Sequence, residues 1–238
     1  MRRFPTGFYR AAAVASFLTA LTTVALIFLP DFYGPADGLE GRMGRVQDPA
    51  YQLRAWIYLF HPLLVFAAAL AVFLRFRDRP ALVLPGIIGF GLWAVTEAAQ
   101  QAMTLFMFDR WRRAWLAGDE AIRATMDVRA AIYDGLWDAS YVFLLIGFLI
   151  GCAFYAAELL RHRRLTRVVG AFYAAAALLT LIFLVADLGG PSLPPSLGAW
   201  LYPAIQPLGR FLIGLWLWKN ADEASPIAGS SQQRAVNE

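Results

Sequence analysis

The stretch GIIGFGLWAVTEAAQQAMTLFMF, residues 86–108, decides the fold of this chain. It carries one formally charged side chain, Glu97, and it exceeds the roughly 20 apolar residues that a helix needs to cross a hydrocarbon core. The stretch therefore predicts a membrane-spanning helix. It also raises a question, because a carboxyl group and two glutamines lie in the middle of a segment that should meet lipid.

The composition of the whole chain agrees with a membrane protein. Of 238 residues, 59% are hydrophobic and 16% are charged, whereas an average soluble domain has about 25% charged residues. Six segments are long and apolar enough to span a bilayer: residues 11–29, 55–74, 80–108, 139–157, 168–186 and 197–218. We therefore predict an all-α, polytopic transmembrane bundle of six helices within residues 1–219, followed by a disordered, polar cytoplasmic tail over residues 220–238.

The positive charges predict the orientation of the bundle. The two short turns RFRDR (residues 75–79) and RHRRLTR (residues 161–167) are strongly basic, and the positive-inside rule places such turns in the cytoplasm. Both ends of the chain then face the cytoplasm. The first segment is longer than the apolar run of a signal peptide and no A-x-A site follows it, so we expect it to remain as a helix. The preference for Arg over Lys suggests a GC-rich bacterium, and we expect the protein in the inner membrane of such a cell.

Other classes of function find little support in the sequence. The net charge of +4 comes from residues at membrane edges, so the bilayer is the expected partner and nucleic acid is not. Cys152 is the one cysteine and lies within a predicted helix, which argues against a disulfide or a cysteine-based metal site. No sequence motif of a common hydrolase, metalloprotease or phosphate-binding loop is present. We expect no cofactor, no metal ion and no catalytic residue.

The long connection before the fourth segment has an amphipathic pattern over about residues 110–130. Apolar side chains recur there at helical spacing, with arginines and acids on the remaining face. This segment either lies along the membrane interface or continues the flanking helices beyond the membrane. We favour a covering for the outer end of the bundle over a surface that binds a partner protein.

The polar residues of the predicted helices fall on one face of each helix, mostly in the outer half of the membrane. Because ionisable groups in hydrocarbon nearly always face the bundle interior, these side chains predict a shared polar core that could bind a ligand. The candidate residues are His61, Trp93, Glu97, Gln101, Asp134, Asp138, Tyr141, Tyr202, Gln206 and Arg210. Arg210 keeps its proton, so it needs a carboxylate or water, and Glu97 and Asp138 are the leading partners.

Three interpretations of this polar core stay open. It could be a structural network that holds the helices together, which we slightly favour. It could bind or transport a small solute, an ion or a lipid headgroup from the outer face, where a small molecule or a protein is a possible partner. It could also be the site of an intramembrane or interfacial enzyme. A closed, fully paired network would favour the first interpretation, and a pocket of about 300 Å³ or more would favour the second.

The segment GFLIGCAFYAAELLRHRRLTRVVGAFYAAAALLTLI, residues 147–182, resembles a broad class of bacterial multi-pass membrane proteins of unknown function. The shared features are a helix with small residues and tyrosine, a short basic turn, a glycine and a second helix of small residues. The resemblance extends from the third to the fifth predicted helix and includes AGDEA in the long connection. It implies a multi-helix membrane fold, and it implies no activity, substrate or site residue.

Overall fold

The computed structural model describes residues 4–222, with only the backbone path for residues 198, 199 and 202. This part of the chain is helical and contains no strand. Its helices are α1 (Thr6–Phe28), α2 (Gly38–Gly44), α3 (Pro49–Arg75), α4 (Pro80–Ala102), α5 (Asp109–Leu116), α6 (Glu120–Leu159), α7 (Leu165–Asp187) and α8 (Pro195–Lys219). Short 3-10 turns cover Leu29–Phe32 and Arg45–Gln47, and a π-helical turn at Met103–Phe108 joins α4 to α5.

The predicted fold class, an all-α polytopic bundle, is confirmed. Each predicted segment lies within one long helix or its direct continuation. Within the described residues, the helices that begin at residues 6, 49, 80, 120 and 165 are long and apolar enough to cross a membrane. The sixth segment lies within α8, and its crossing of the membrane stays a prediction. The described part also contains α2 and α5, two short helices that the predicted six did not include.

The six long helices form a ring in the order α1, α3, α4, α6, α7, α8, and α8 packs back against α1. The outside of this ring is apolar. On α4, for example, Val95 is 71% exposed and Ile88 is 62% exposed, whereas Glu97 on the same helix is 7% exposed. A lipid environment requires this arrangement, in which apolar side chains face outward and polar side chains face inward. The protein is therefore a multi-pass membrane protein.

Both ends of the described chain lie at one end of the ring, which we call the terminal end. There Arg10 on α1 forms an ion pair with Asp222 at 3.1 Å, and Phe76 stacks on Trp216 with ring centroids 6.1 Å apart. The first three residues of the predicted tail are thus close to the bundle, and residues 223–238 lie outside the described part. That the terminal end faces the cytoplasm stays a prediction.

Glycines bring α4 and α6 into close contact. A Cβ atom on Gly89 of α4 would lie 2.5 Å from the backbone nitrogen of Gly151, and one on Gly147 would lie 2.7 Å from the backbone nitrogen of Trp93. Gly147 and Gly151 are four residues apart on α6, the small-residue spacing that lets membrane helices approach closely. The α4–α6 pair is therefore a dense wall of the ring.

We expect Gly89→Ala to destabilise the protein by about 1–3 kcal/mol, because the added methyl group meets backbone atoms that cannot move away. Gly91→Ala is the matched control: it lies on the same helix, and its methyl group would have only the Phe66 ring within 4 Å, at 3.6 Å. Thermal unfolding in detergent measures both. Equal melting temperatures for the two variants would contradict the close packing.

At the opposite end, which we call the cap end, the helices extend beyond the membrane. Helix α6 has 40 residues, or about 60 Å, roughly twice the thickness of a hydrocarbon core. The start of α6 packs against the π-helical turn and α5 in a second hydrophobic cluster, in which Met126 and Phe108 are both 1% exposed. The predicted amphipathic segment therefore continues the flanking helices and covers the cap end, with its apolar face turned to the protein.

The loop between α1 and α3 is held at the cap end by Asp48. Its carboxylate accepts hydrogen bonds from the backbone N–H groups of Gly34 (2.7 Å), Ala50 (2.9 Å) and Tyr51 (3.2 Å), so it both caps α3 and ties down the loop. The pKa of Asp48 lies below its ordinary value, chiefly because of the hydrogen bond from Gly34. The other two hydrogen bonds and the nearby Arg45 guanidinium lower the pKa further. At neutral pH the ionised carboxylate therefore holds the loop in place. Its hydrogen bonds weaken as the pH falls through this lowered pKa and the carboxylate becomes protonated.

We expect Asp48→Ala to increase tryptic cleavage after Arg45 roughly fivefold, because loss of a helix cap costs about 1 kcal/mol and cleavage follows the open fraction of the loop. Asp37→Ala is the control, since Asp37 precedes α2 and its side chain makes no capping hydrogen bond. Mass spectrometry of timed digests in detergent gives the rates. Indistinguishable digestion of both variants and the unmodified protein would refute the role of Asp48.

Candidate functional site

A cavity of about 710 Å³ lies inside the ring, towards the cap end. All six long helices contribute to its wall, and Tyr33 and Arg112 lie above it at the cap end. Most of the predicted site residues line this cavity, namely His61, Trp93, Glu97, Gln101, Tyr141, Gln206 and Arg210. The structure therefore brings the polar faces of α3, α4, α6 and α8 to one space.

The polar residues of the cavity extend from the middle of the membrane to its cap-end half. At a rise of 1.5 Å per residue, Arg210 lies about 14 Å from the terminal end of α8, His61 about 21 Å from that end of α3, and Glu97 about 26 Å from that end of α4. A hydrocarbon core is about 30 Å thick. Arg210 therefore lies about half the thickness of a hydrocarbon core from the terminal end, and the other two lie closer to the cap end.

Asp134 and Asp138 lie outside the cavity, contrary to expectation. Asp134 forms an ion pair with Arg42 of α2 at 2.7 Å, and both side chains are half-buried. Asp138 is exposed. The reason is the length of α6, which places both residues about 30–40 Å from its terminal end, at or beyond the membrane edge. The side chain of Tyr202, another predicted site residue, lies outside the described part.

Arg210 is held by aromatic rings. Its guanidinium carbon lies 5.7 Å from the centre of the Trp93 ring and 5.7 Å from that of Phe148, and the residue is 8% exposed. Its backbone oxygen accepts a hydrogen bond from Ser16 of α1 at 2.7 Å, which fixes α8 at this level. Among the described residues, no carboxylate lies within 4 Å of the guanidinium. The expected ion pair of Arg210 with Glu97 or Asp138 is therefore not formed.

Glu97 and the two glutamines nearest to the charged groups also lack partners. Among the side chains that the structure describes, those of Glu97, Gln101 and Gln206 find no hydrogen-bond partner, although Glu97 is 7% exposed and Gln101 is 6% exposed. All three line the cavity, as Arg210 does. The cavity therefore contains several buried polar groups whose hydrogen-bonding capacity the described protein does not satisfy.

A second set of polar residues, which also line the cavity, is engaged in hydrogen bonds between helices. Gln100 donates to the backbone oxygen of Trp137 at 3.0 Å and to the Ser140 hydroxyl at 3.1 Å, which links α4 to α6. The hydroxyls of Thr104 and Tyr133 lie 2.7 Å apart between the π-helical turn and α6. These bonds serve the structural role that the sequence suggested for the polar core as a whole.

His61 belongs to the engaged set. Its Nδ1 atom lies 2.8 Å from the Thr22 hydroxyl of α1, and its ring meets the Trp93 ring edge-to-face at 6.4 Å. The histidine thereby connects α1, α3 and α4. Thr22 was not among the predicted residues, and only its position one helix away in the folded ring relates it to His61.

An ion pair at the cap end of the cavity was not foreseen from the sequence. Arg112 of α5, 7% exposed, donates to the Asp109 carboxylate at 2.9 Å and to the Tyr51 hydroxyl at 2.6 Å. Asp109 also accepts a hydrogen bond from Gln52 at 3.0 Å. Charged residues in a long connection resemble a solvated surface, so no sequence pattern indicates that these residues would be buried. This cluster joins α3 to α5 above the cavity.

The fold and the cavity define a class: a multi-pass helical membrane protein with a polar cavity enclosed by a ring of helices. The chain matches no protein-family model, no curated protein and no solved structure. The described residues contain no group of three His, Cys, Asp or Glu side chains that could hold a metal ion.

Adjacent glutamines on α4 separate the two sets of polar residues. We expect Gln100→Leu to lower the stability by about 0.6–1.7 kcal/mol, the range for interhelical hydrogen bonds in membranes. Gln101→Leu should leave stability unchanged or raise it, because the Gln101 amide has no partner to lose among the described residues. Unfolding of both variants in mixed micelles provides the measurement, and an equal loss of stability would contradict the division.

Proposed function

We propose that the protein binds a small molecule with an acidic group in this cavity. The observation that supports this most strongly is Arg210, a permanently charged guanidinium that is 8% exposed, faces a 710 Å³ space and has no carboxylate within 4 Å among the described residues. A buried charge without a partner is costly. A ligand carboxylate or phosphate would supply the missing acceptor, and the planar guanidinium suits both.

The charges around the cavity also favour an anionic ligand. The charged residues that line it are Arg54, Arg112, Arg210 and Glu97. Arg112 is neutralised by Asp109, whereas Arg54 donates only to the Leu26 backbone oxygen (3.1 Å) and the Tyr58 hydroxyl (3.4 Å). Positive charge is therefore in excess even when Glu97 is ionised.

The size and the open pairing of the site favour binding over a purely structural role. A cavity of about 710 Å³ lies within the range of about 300–1,000 Å³ that is typical of small-molecule sites. A network that only held helices together would gain most from complete pairing. Gln100, Thr104 and His61 fit that structural description, and Glu97, Gln101, Gln206 and Arg210 do not.

The location of the protein forms part of the proposal. The resemblance to bacterial multi-pass proteins and the basic turns at the terminal end support a bacterial inner membrane with the terminal end in the cytoplasm. The cavity then lies in the outer half of the bilayer, and the ligand reaches it from the outer side. Transport and sensing of the ligand would both require this binding step.

Isothermal titration of the purified protein in a neutral detergent tests the proposal, with 3-phenylpropionate as a soluble acid and dihexanoyl-phosphatidylglycerol as an anionic lipid. We expect at least one of them to bind, and Arg210→Gln to weaken that binding at least about tenfold, because a charge-assisted hydrogen bond contributes about 1.5–3 kcal/mol. Arg110→Gln, at an exposed arginine near the start of α5, is the control and should bind normally.

Thermal unfolding shows in parallel whether the Arg210→Gln protein is folded. Loss of binding by a folded variant supports the site. The proposal fails if neither probe binds to the unmodified protein, or if binding is the same with and without Arg210.

A further inference from the structure

Glu97 and Arg210 form an unusual pair, because they carry opposite charges, face one cavity and do not meet. Both residues are more than nine-tenths buried. They interact electrostatically through space, but their charged atoms are more than 4 Å apart. Neither side chain has another hydrogen-bond partner in the described part of the protein.

Aromatic side chains contact the Arg210 guanidinium on its side of the gap. Trp93 lies one helical turn from Glu97 on α4, and its ring faces the Arg210 guanidinium at 5.7 Å. Phe148 of α6 lies at the same distance from the guanidinium carbon. The guanidinium therefore contacts aromatic rings, and no carboxylate of the described residues lies within 4 Å of it.

The cap end of the same cavity contains an arginine that is paired directly with a carboxylate. There Arg112 and Asp109 meet at 2.9 Å, with the Tyr51 hydroxyl and the Gln52 amide completing the cluster. Opposite charges attract strongly at low dielectric constant, and arginine and glutamate are both long, flexible side chains. The Glu97–Arg210 pair lacks such a direct contact.

Each side of the gap is built in the same way. Gln101 lies four residues from Glu97 on α4, and Gln206 lies four residues from Arg210 on α8, so each amide shares a helix face with its charged neighbour. An amide can both donate and accept hydrogen bonds. The cavity thus has an acidic pole (Glu97 and Gln101) and a basic pole (Arg210 and Gln206).

We propose that the ligand is a zwitterion, with an anionic group bound at the basic pole and a primary ammonium group bound at the acidic pole. This inference rests on the proposed function and names its ligand class. The remaining wall includes Leu144, Leu145, Leu179 and Phe183, which suit an apolar body attached to the zwitterion. An amino acid with an apolar side chain and a lipid with an ethanolamine-type headgroup share this chemistry.

Two matched probe pairs test the ligand class and its source. The soluble pair is phenylalanine and 3-phenylpropionate, which differ by the ammonium group. The lipid pair is dihexanoyl-phosphatidylethanolamine and dihexanoyl-phosphatidylglycerol, in which glycerol replaces the ethanolamine. Titration in neutral detergent at pH 7 gives the dissociation constants for the unmodified protein, for Glu97→Gln and for the control Asp138→Asn, whose exposed carboxylate lies outside the cavity.

We expect the zwitterion of at least one pair to bind at least tenfold more tightly than its anionic counterpart. Glu97→Gln should abolish this preference while the anion still binds, and Asp138→Asn should retain it. The pair that shows the preference identifies the source as a dissolved solute or a lipid.

The outcomes separate this inference from the proposed function. If the anions bind through Arg210 as tightly as the zwitterions, the zwitterion assignment is wrong and the anion site stands. The same conclusion follows if a folded Glu97→Gln protein keeps the preference. If no probe binds to the unmodified protein, both proposals fail.

Discussion

A charged or amide side chain within hydrocarbon needs other polar groups or water around it, and this constraint determines how the helices of the bundle are oriented. The exposed faces of the long helices are apolar, so the polar groups of α3, α4 and α8 can only point into the ring. The ring order, with α8 returning to α1, brings Arg210 to the level of Trp93 and Phe148. The enclosed polar space is a consequence of this inward turn of every polar face.

The two sides of α4 show how packing and function are divided. One side carries Gly89 and lies against Gly147 and Gly151 of α6 so closely that a methyl group would not fit. The cavity side carries Glu97 and Gln101, which have no partner among the described residues. The dense contact fixes the rotation of α4, and that rotation keeps the carboxyl group and the amide directed into open space.

The polar residues around the cavity are not one network. Gln100, Thr104 and His61 connect neighbouring helices through hydrogen bonds of 2.7–3.1 Å, and such contacts stabilise a membrane bundle modestly. Arg210 and Glu97 add no such connection. Unsatisfied groups on a rigid frame are typical of binding sites, where stability is given up for an interaction with a ligand.

The sequence by itself determined the membrane segments and the polar face of each helix, because length, hydropathy and the 3.6-residue period are local properties. It could not decide which polar residues would pair. Gln100 and Gln101 are neighbours in sequence, but they point about 100° apart on the helix. Only the packing of α6 against α4 gives Gln100 an interhelical hydrogen bond and leaves the Gln101 amide without a partner among the described residues. Asp134 and Asp138 followed the same period as true cavity residues, yet the full length of α6 carries them to the membrane edge. Likewise, the surroundings of Arg210 depend on rings from α4 and α6 and on the position of α8. Such long-range packing is decided only when all helices of the ring come together.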